Sequence, residues 1–372
     1  MIYLLILTFL LGFILAMFFI PVIIEISFRK GFFDKPNERK VHRSKKIPRL
    51  GGLSFFPITA LVFAIVLSFG FRISSEFWIL KIFDVHASHF LYGAVGAFIL
   101  FCLGALDDIW GVRYRTKFIG QILAGTLLCL SGLWIYNLHG LFGIERITVV
   151  WGFPITIFAI VFITNAINFI DGIDGLSSSI SLIAFAYYVC AFVYLEIYDY
   201  ALLTMAVAGP VAAFMFYNLF GNPEKHTKTF MGDTGSLFLG FILSILGIAL
   251  NRFSGNNGVY NPMTLGFAPM ILPCFDVLRV VLVRHRQRHN PFVADKNHIH
   301  HKFMSIGLSQ HVVLVIVDIL TVIFAALAIF LARYINVNIT LIILLVIWTI
   351  MHIIIPNRFN ENIEKTIKYE KN

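Results

Sequence analysis

Apolar residues in this chain fall in long runs broken by short polar stretches. Eleven runs have the length a helix needs to cross a bilayer, about 17–25 residues. They cover roughly 2–26, 50–70, 89–106, 117–137, 153–173, 175–195, 200–220, 235–251, 262–283, 311–333 and 338–356. The pattern predicts an all-α polytopic membrane protein of about eleven transmembrane helices, with one integral domain over 1–356 and a short tail over 357–372. One segment, 139–152, departs from it. A Gly-rich start followed by Thr148-Val149-Val150-Trp151 predicts a small hairpin there. Pro269 and Pro273 lie inside the ninth run and predict a kink or break, and a broken helix at membrane depth lines a protein-enclosed cavity.

Composition agrees with that pattern. Of 372 residues, 59% are hydrophobic and 13% charged, and the mean hydropathy is +0.85. A soluble domain does not carry that balance. The first run has no basic segment before it and no small-residue cleavage site, so it reads as an anchor and not as a signal peptide. Lys and Arg then set the orientation. With the N-terminus outside, the loops on the inner side hold 24 of the 29 basic residues, and an odd number of spans places the C-terminus inside. The net charge of +9 therefore reads as positive-inside topology and anionic substrates, with no nucleic acid as partner. Cys102, Cys129, Cys190 and Cys274 all sit in apolar runs and read as small core residues.

In that orientation the polar clusters share the inner face. Ionisable groups at membrane depth cost about 2.5–3.5 kcal/mol each and mark function by default. The most specific cluster runs from Asn165 through Asn168, Asp171 and Asp174 to Leu176, with glycines after both aspartates. Oxygen donors of this kind suit Mg²⁺, or Mn²⁺ as the alternative, and not zinc. Asp107-Asp108 ends the third run. It reads either as a helix-stop pair or as a carboxylate pair that needs a cation, one member of which could serve as a base. Phe230-Met231-Gly232-Asp233-Thr234-Gly235-Ser236 opens the eighth run, where Asp233 is either a helix cap or a metal ligand. A basic loop holds Arg284, Arg286, Arg288, His298, His300 and His301. With no cysteine near it, arginine forks and imidazoles suit a diphosphate better than zinc or RNA. The segment after the first run, with Lys40, His42 and Gly51-Gly52, reads as positive-inside charge or as a phosphate clamp that the glycines let the backbone approach.

Pro48-Arg49-Leu50-Gly51-Gly52, Asp107-Asp108, Asn165 through Leu176, Phe230 through Ser236 and His298-Ile299-His300-His301 together resemble the polyprenyl-phosphate N-acetylhexosamine-1-phosphate transferases. The resemblance covers about 35–305, with the motifs in family order. The His-Ile-His-His form resembles the branch that initiates O-antigen, teichoic acid or capsule chains with N-acetylglucosamine 1-phosphate. The peptidoglycan branch, phospho-N-acetylmuramoyl-pentapeptide transferase, shows three consecutive histidines and is the alternative. The resemblance implies transfer of a sugar 1-phosphate from a UDP-N-acetylhexosamine to undecaprenyl phosphate, with release of UMP and a requirement for Mg²⁺. It also implies a place in the bacterial cytoplasmic membrane.

The same resemblance implies residue roles. Asp233 would lead the Mg²⁺ ligands, with Asn168 second. Asp107 and Asp108 would handle the lipid phosphate and the metal, and Asp171 and Asp174 the nucleotide and metal site. His298, His300 and His301 would act on the sugar diphosphate. Asn165 and Phe230 would bind substrate, as would Lys40, His42, Arg284, Arg286 and Arg288 on the phosphate and diphosphate readings of their own segments. Phe230 would stack near the uracil. Asn218 is a substrate candidate left open by the longer stretch between it and Phe230, and self-association into a homodimer is also left open. A transporter for anionic sugars or lipids is the competing class. Such folds often carry internal repeats and midplane sites, and this chain has no visible repeat.

Overall fold

The computed structural model describes residues 1–33, 47–73, 78–256, 261–286 and 298–355. Among these residues run α1 (Ile2–Lys30), α2 (Phe55–Ile73), α3 (Trp78–Trp110), α4 (Tyr114–Leu130), α5 (Val149–Ile170), α6 (Leu176–Tyr194) and α7 (Tyr198–Phe220). They are followed by α8 (Gly232–Asn256), α9 (Pro262–Phe267), α10 (Ile271–Arg286), α11 (Ile299–Ser305), α12 (Gln310–Ala332) and α13 (Val337–Ile354). Ten helical segments of the described residues are long and apolar enough to cross a membrane. The chain is thus a polytopic, essentially all-α membrane protein. The predicted run at 117–137 folds as α4, which has 17 residues and is not among the ten.

Burial sorts the helices by position. Of the membrane-length stretch of α8, 94% is buried, against 28% for α1 and for α13. A helix that is apolar on every side belongs in the centre. Leu237, Phe238, Leu239, Phe241, Ile242 and Leu243 point in successive directions and all are buried. Helices α3 and α5 flank α8, and α1 packs on α7 at the periphery. On α1 the buried positions Leu5, Thr8, Gly12, Ala16, Ile20, Ile23 and Ser27 form one stripe. Ile6, Leu10, Ile14 and Phe18 on the other side are exposed, as lipid-facing residues are.

The ninth run is broken, as its prolines predict. Ala268–Met270 forms a 3₁₀ turn between α9 and α10. Pro269 sits in that turn, whereas Pro273 falls in the first turn of α10, where the missing N–H costs little. The carbonyls freed at the break are met from α6. Tyr187 Oη donates to Leu265 O at 2.7 Å and Tyr188 Oη to Gly266 O at 2.9 Å. A non-helical stretch at membrane depth persists when its backbone is satisfied in this way.

The hairpin lies earlier than predicted. Strands β1 (Asn137–Leu141) and β2 (Ile144–Arg146) pair antiparallel, with Asn137 opposite Arg146 and Leu141 opposite Ile144. Phe142 and Gly143 both have positive φ, as a two-residue type I′ loop requires. Thr148-Val149-Val150-Trp151 does not form a strand; Thr148 occupies the residue before α5 and the others start it. Their β-branched character suggested a strand, but they open a 22-residue apolar helix. In lipid the helix is the form that satisfies its own backbone, and local propensity yields.

Candidate active site

The site is built around the first turn of α8. The helix opens with backbone N–H groups that have no partner within it. A carboxylate from another helix supplies one. Asp108 Oδ1 accepts from Asp233 N at 2.9 Å, and Asp108 Oδ2 accepts from Thr234 N at 2.9 Å and Thr234 Oγ1 at 2.6 Å. Of the two readings for Asp233, the cap is therefore taken over by Asp108, and the Asp233 side chain points elsewhere. The turn is also held from outside. Gly51 N and Gly52 N donate to Phe230 O and Met231 O, both at 3.0 Å, and Phe230 N donates to Pro48 O at 2.8 Å. The close approach that Gly51-Gly52 permits is thus made to the Phe230–Gly235 backbone.

Asp107, Asp108 and Asp233 bring carboxylate oxygens within 4.8 Å of one another. Lys117, from the first turn of α4, reaches between them. Its Nζ lies 2.8 Å from Asp107 Oδ2 and pairs with Asp233 Oδ2. Asp107 Oδ1 accepts from Val112 N at 2.6 Å, which fixes the α3–α4 corner. Asn168 Nδ2 donates to Asp233 Oδ1 at 2.9 Å and to Ser236 Oγ at 2.7 Å. The nitrogen of the Asn168 amide, not its oxygen, thus faces Asp233. Three carboxylates and one ammonium leave two formal negative charges in a half-buried cluster. That is a hard-oxygen donor set of the charge a divalent Mg²⁺ or Mn²⁺ neutralises, so the residues present fit such an ion.

The 165–176 segment connects this cluster to the histidine loop. One residue beyond Asn168, the ring of Phe169 lies 6.0 Å from that of His298. Three further on, a Cβ on Gly172 would sit 2.7 Å from His300 Cε1 and nearer still to Nε2, so a side chain there would have to displace the His300 ring. His298 and His300 are buried, and their rings stack 5.8 Å apart; His301 lies 4.2 Å from His300. Asp171 is half-buried in the turn after α5, beside Gly172. Asp174 pairs with Lys228 at 2.8 Å.

Two of the predicted asparagines brace the structure. Asn165 Nδ2 donates to Gln121 Oε1 and to Val161 O, each at 2.7 Å. Asn218, buried, accepts from Gly175 N at 2.6 Å and donates to Thr229 O at 2.8 Å, tying the 171–175 turn to the segment that leads into α8. Phe230 is half-buried beside that entry. At the end of α10, Arg284 is buried and Arg286 exposed. Lys40, His42 and Arg288 lie outside the described residues.

Lys117, Gln121, Lys228 and Asp276 escaped the sequence reading. Lys117 was hidden in the basic triplet Arg113, Arg115 and Lys117, which positive-inside topology already explains. Asp276 carried a usable signal, since it is a lone carboxylate inside an apolar run. It is fully buried and accepts from His298 Nδ1 at 2.8 Å.

His300 gives the site a pH dependence. Burial, with His301 and His298 beside it, holds its imidazole well below the ordinary value. Neither of its ring nitrogens has a hydrogen-bond partner among the described residues. In the unfolded chain this imidazole takes up a proton below about pH 6.5. The folded form does not, so stability is lost as pH falls through that value. Thermal unfolding in detergent at about pH 7 and about pH 5 is expected to show a smaller loss for His300→Gln than for wild type. Equal losses would contradict a neutral, buried His300.

A glycosyl transferase family 4 model matches residues 90–251, from within α3 through most of α8. The chain is 31% identical to the "Probable undecaprenyl-phosphate N-acetylglucosaminyl 1-phosphate transferase" of Bacillus subtilis (strain 168), over 98% of this chain and 95% of that protein. It is 29% identical to the "Undecaprenyl-phosphate alpha-N-acetylglucosaminyl 1-phosphate transferase" of Escherichia coli (strain K12), over 83% of this chain and 79% of the relative. It is 30% identical to the "Decaprenyl-phosphate N-acetylglucosaminephosphotransferase" of Mycobacterium tuberculosis, over 78% and 74%.

Proposed function

Because the chain belongs to glycosyl transferase family 4, among the polyprenyl-phosphate N-acetylhexosamine-1-phosphate transferases, we propose that it transfers N-acetylglucosamine 1-phosphate from UDP-N-acetylglucosamine to undecaprenyl phosphate. The products are undecaprenyl-diphosphate-N-acetylglucosamine and UMP. The reaction is the first membrane step of a cell-surface glycan such as O-antigen, teichoic acid or capsule. The observation that carries this reading is the gathering of Asp107, Asp108, Asp233 and Lys117 at one end of the bundle, in a chain similar over 98% of its length to a protein of that name. The Lys and Arg distribution supports placing that end at the cytoplasmic face of the bacterial inner membrane, where UDP-sugars are found, with the N-terminus outside and the C-terminus inside.

Phosphoryl transfer asks a protein for positioning and charge neutralisation more than for covalent work. Each group in the site can supply part of this. Asp108 fixes the α8 turn and therefore the position of Asp233. Asn168 holds one Asp233 oxygen and so orients the other. Asp107 and Asp233 would hold Mg²⁺, which when bound supplies charge neutralisation on the donor diphosphate and on the UMP leaving group. Lys117 offers a mobile cation on a flexible stem, suited to a phosphate oxygen once the carboxylates have another partner. His298, His300 and His301 face the same end through the Phe169–Gly172 wall and are placed for the sugar-diphosphate portion. Displacement is direct: an oxygen of the lipid phosphate attacks the β-phosphorus, and the bond to the UMP oxygen breaks.

The test is purified protein with undecaprenyl phosphate and a panel of UDP-sugars, scored by UMP release. UDP-N-acetylglucosamine is expected to be the best donor, with no release in the absence of lipid. Exchange of labelled UMP into UDP-sugar without lipid would refute direct displacement and favour an aspartyl intermediate.

A further inference from the structure

We propose that Asp276 is a positioning residue that fixes both the ring and the backbone of His298 for the transfer reaction; this rests on the transferase reading above. Asp276 lies in α10, six residues after the 3₁₀ break, and none of its surface is exposed. A buried carboxylate costs several kcal/mol unless it is paired and hydrogen-bonded. Here all its described partners serve the histidine loop or balance its charge. Oδ2 accepts from His298 Nδ1 at 2.8 Å. Oδ1 accepts from Ile299 N at 3.0 Å and lies 3.3 Å from Arg279 Nη2.

His298 is the residue at which α11 begins, so the Ile299 N–H is the first backbone donor of that helix. One carboxylate thus grips the His298 ring and caps the helix that His298 starts. The α11 segment is anchored on its other side as well. Lys302 Nζ donates to His352 O at 3.0 Å and to Ile355 O at 3.4 Å, at the end of α13.

The consequence falls on the second ring nitrogen. With Nδ1 engaged as a donor to a carboxylate, only Nε2 of His298 is left to meet a ligand, and the ring orientation is set. That ring packs on Phe169, the neighbour of Asn168, which holds Asp233. Two adjacent residues, Asn168 by a hydrogen bond and Phe169 by a ring contact, therefore link the carboxylate that is placed for the metal to the imidazole that is placed for the diphosphate. Loss of the partner that orients a metal-ligating imidazole costs about 10- to 100-fold, and the same scale applies to an imidazole oriented toward a diphosphate by the same kind of bond.

The experiment is a double-mutant cycle on full-length purified protein: Asp276→Asn, His298→Gln and the pair together. Readouts are kcat and KM for UDP-N-acetylglucosamine by UMP release, and thermal unfolding in detergent. Asp276→Asn is expected to lower kcat by about 10- to 100-fold with KM little changed, and the double variant to be no slower than His298→Gln alone. Asp276→Glu keeps the charge and is expected to fall between wild type and Asp276→Asn. It replaces Asp276→Asn in the cycle if that variant does not fold. Losses that multiply in the double variant, or an unchanged kcat in Asp276→Asn, would overturn the proposal while leaving the transferase reading intact. A wild-type protein that releases no UMP would overturn both.

Discussion

Asp233→Ala is expected to lower sugar-phosphate transfer by on the order of 10²- to 10³-fold, the scale seen when a single preorganised electrostatic group is removed from a site of this kind. The cluster explains the size. Asp107, Asp108 and Asp233 lie together, and one ammonium, Lys117, pairs with Asp107 and Asp233. Without Asp233 the Asp107–Lys117 pair closes on itself, and only the Asp108 carboxylate, already bound to Asp233 N, Thr234 N and Thr234 Oγ1, remains beside it. A divalent cation would then find about half the negative charge. The fold should survive, because Asp108 holds α8 through the backbone N–H of residue 233, which alanine keeps. The check is transfer of labelled sugar phosphate in Mg²⁺-supplied membranes, alongside thermal unfolding of the purified variant. Retained transfer would remove Asp233 from the metal site, and loss of the fold would show that its part is structural.

The second large effect is expected at Gly52. A Cβ there would lie 2.6 Å from Met231 O and nearer still to Gly235 N and Cα. All three are backbone atoms, so the strain cannot be relieved by turning a side chain. Gly52→Ala must push the Gly232–Ser236 turn away from the 48–52 segment. Overpacking of this kind costs about 1–3 kcal/mol, and it also breaks the alignment of Gly51 N and Gly52 N with Phe230 O and Met231 O. A displacement of about 1 Å at a reacting group can cost on the order of 10²-fold in rate. Activity should therefore fall further than stability. Gly111→Ala is the control. It has a positive φ but open space around its Cβ position, and it should cost about 1 kcal/mol of backbone strain. A Gly52→Ala protein with wild-type melting and kcat would show that the two segments are not packed as described.

What the sequence made legible was what local pattern encodes. Run lengths placed ten membrane-length helices of the eleven runs, and Pro269 marked the break in the ninth. Polar residues in an apolar chain picked out Asp107, Asp108, Asn168, Asp233 and the histidines. Pairings between distant segments were not legible. Asp108 caps a helix through the N–H of Asp233, 125 positions away, and Lys117 joins Asp233 from 116 away. No local signal separates a carboxylate that caps from one that is free to bind. Asn165 and Asn218 illustrate the same limit: their amides suited a ligand, and the fold joins them to Gln121, Gly175 and Thr229. The hairpin slipped because β-branched residues at 148–150 resemble a strand until the length of the helix they open is known.

One measurement bears most directly on the function. Purified protein is given UDP-N-acetylglucosamine labelled with ³²P at the β-phosphorus, together with undecaprenyl phosphate and Mg²⁺. The expected result is label in the lipid fraction and one UMP released for each labelled lipid formed, with both signals lost in Asp233→Ala. Label that stays in the aqueous phase while N-acetylglucosamine reaches the lipid, or no transfer at all, would contradict the assignment.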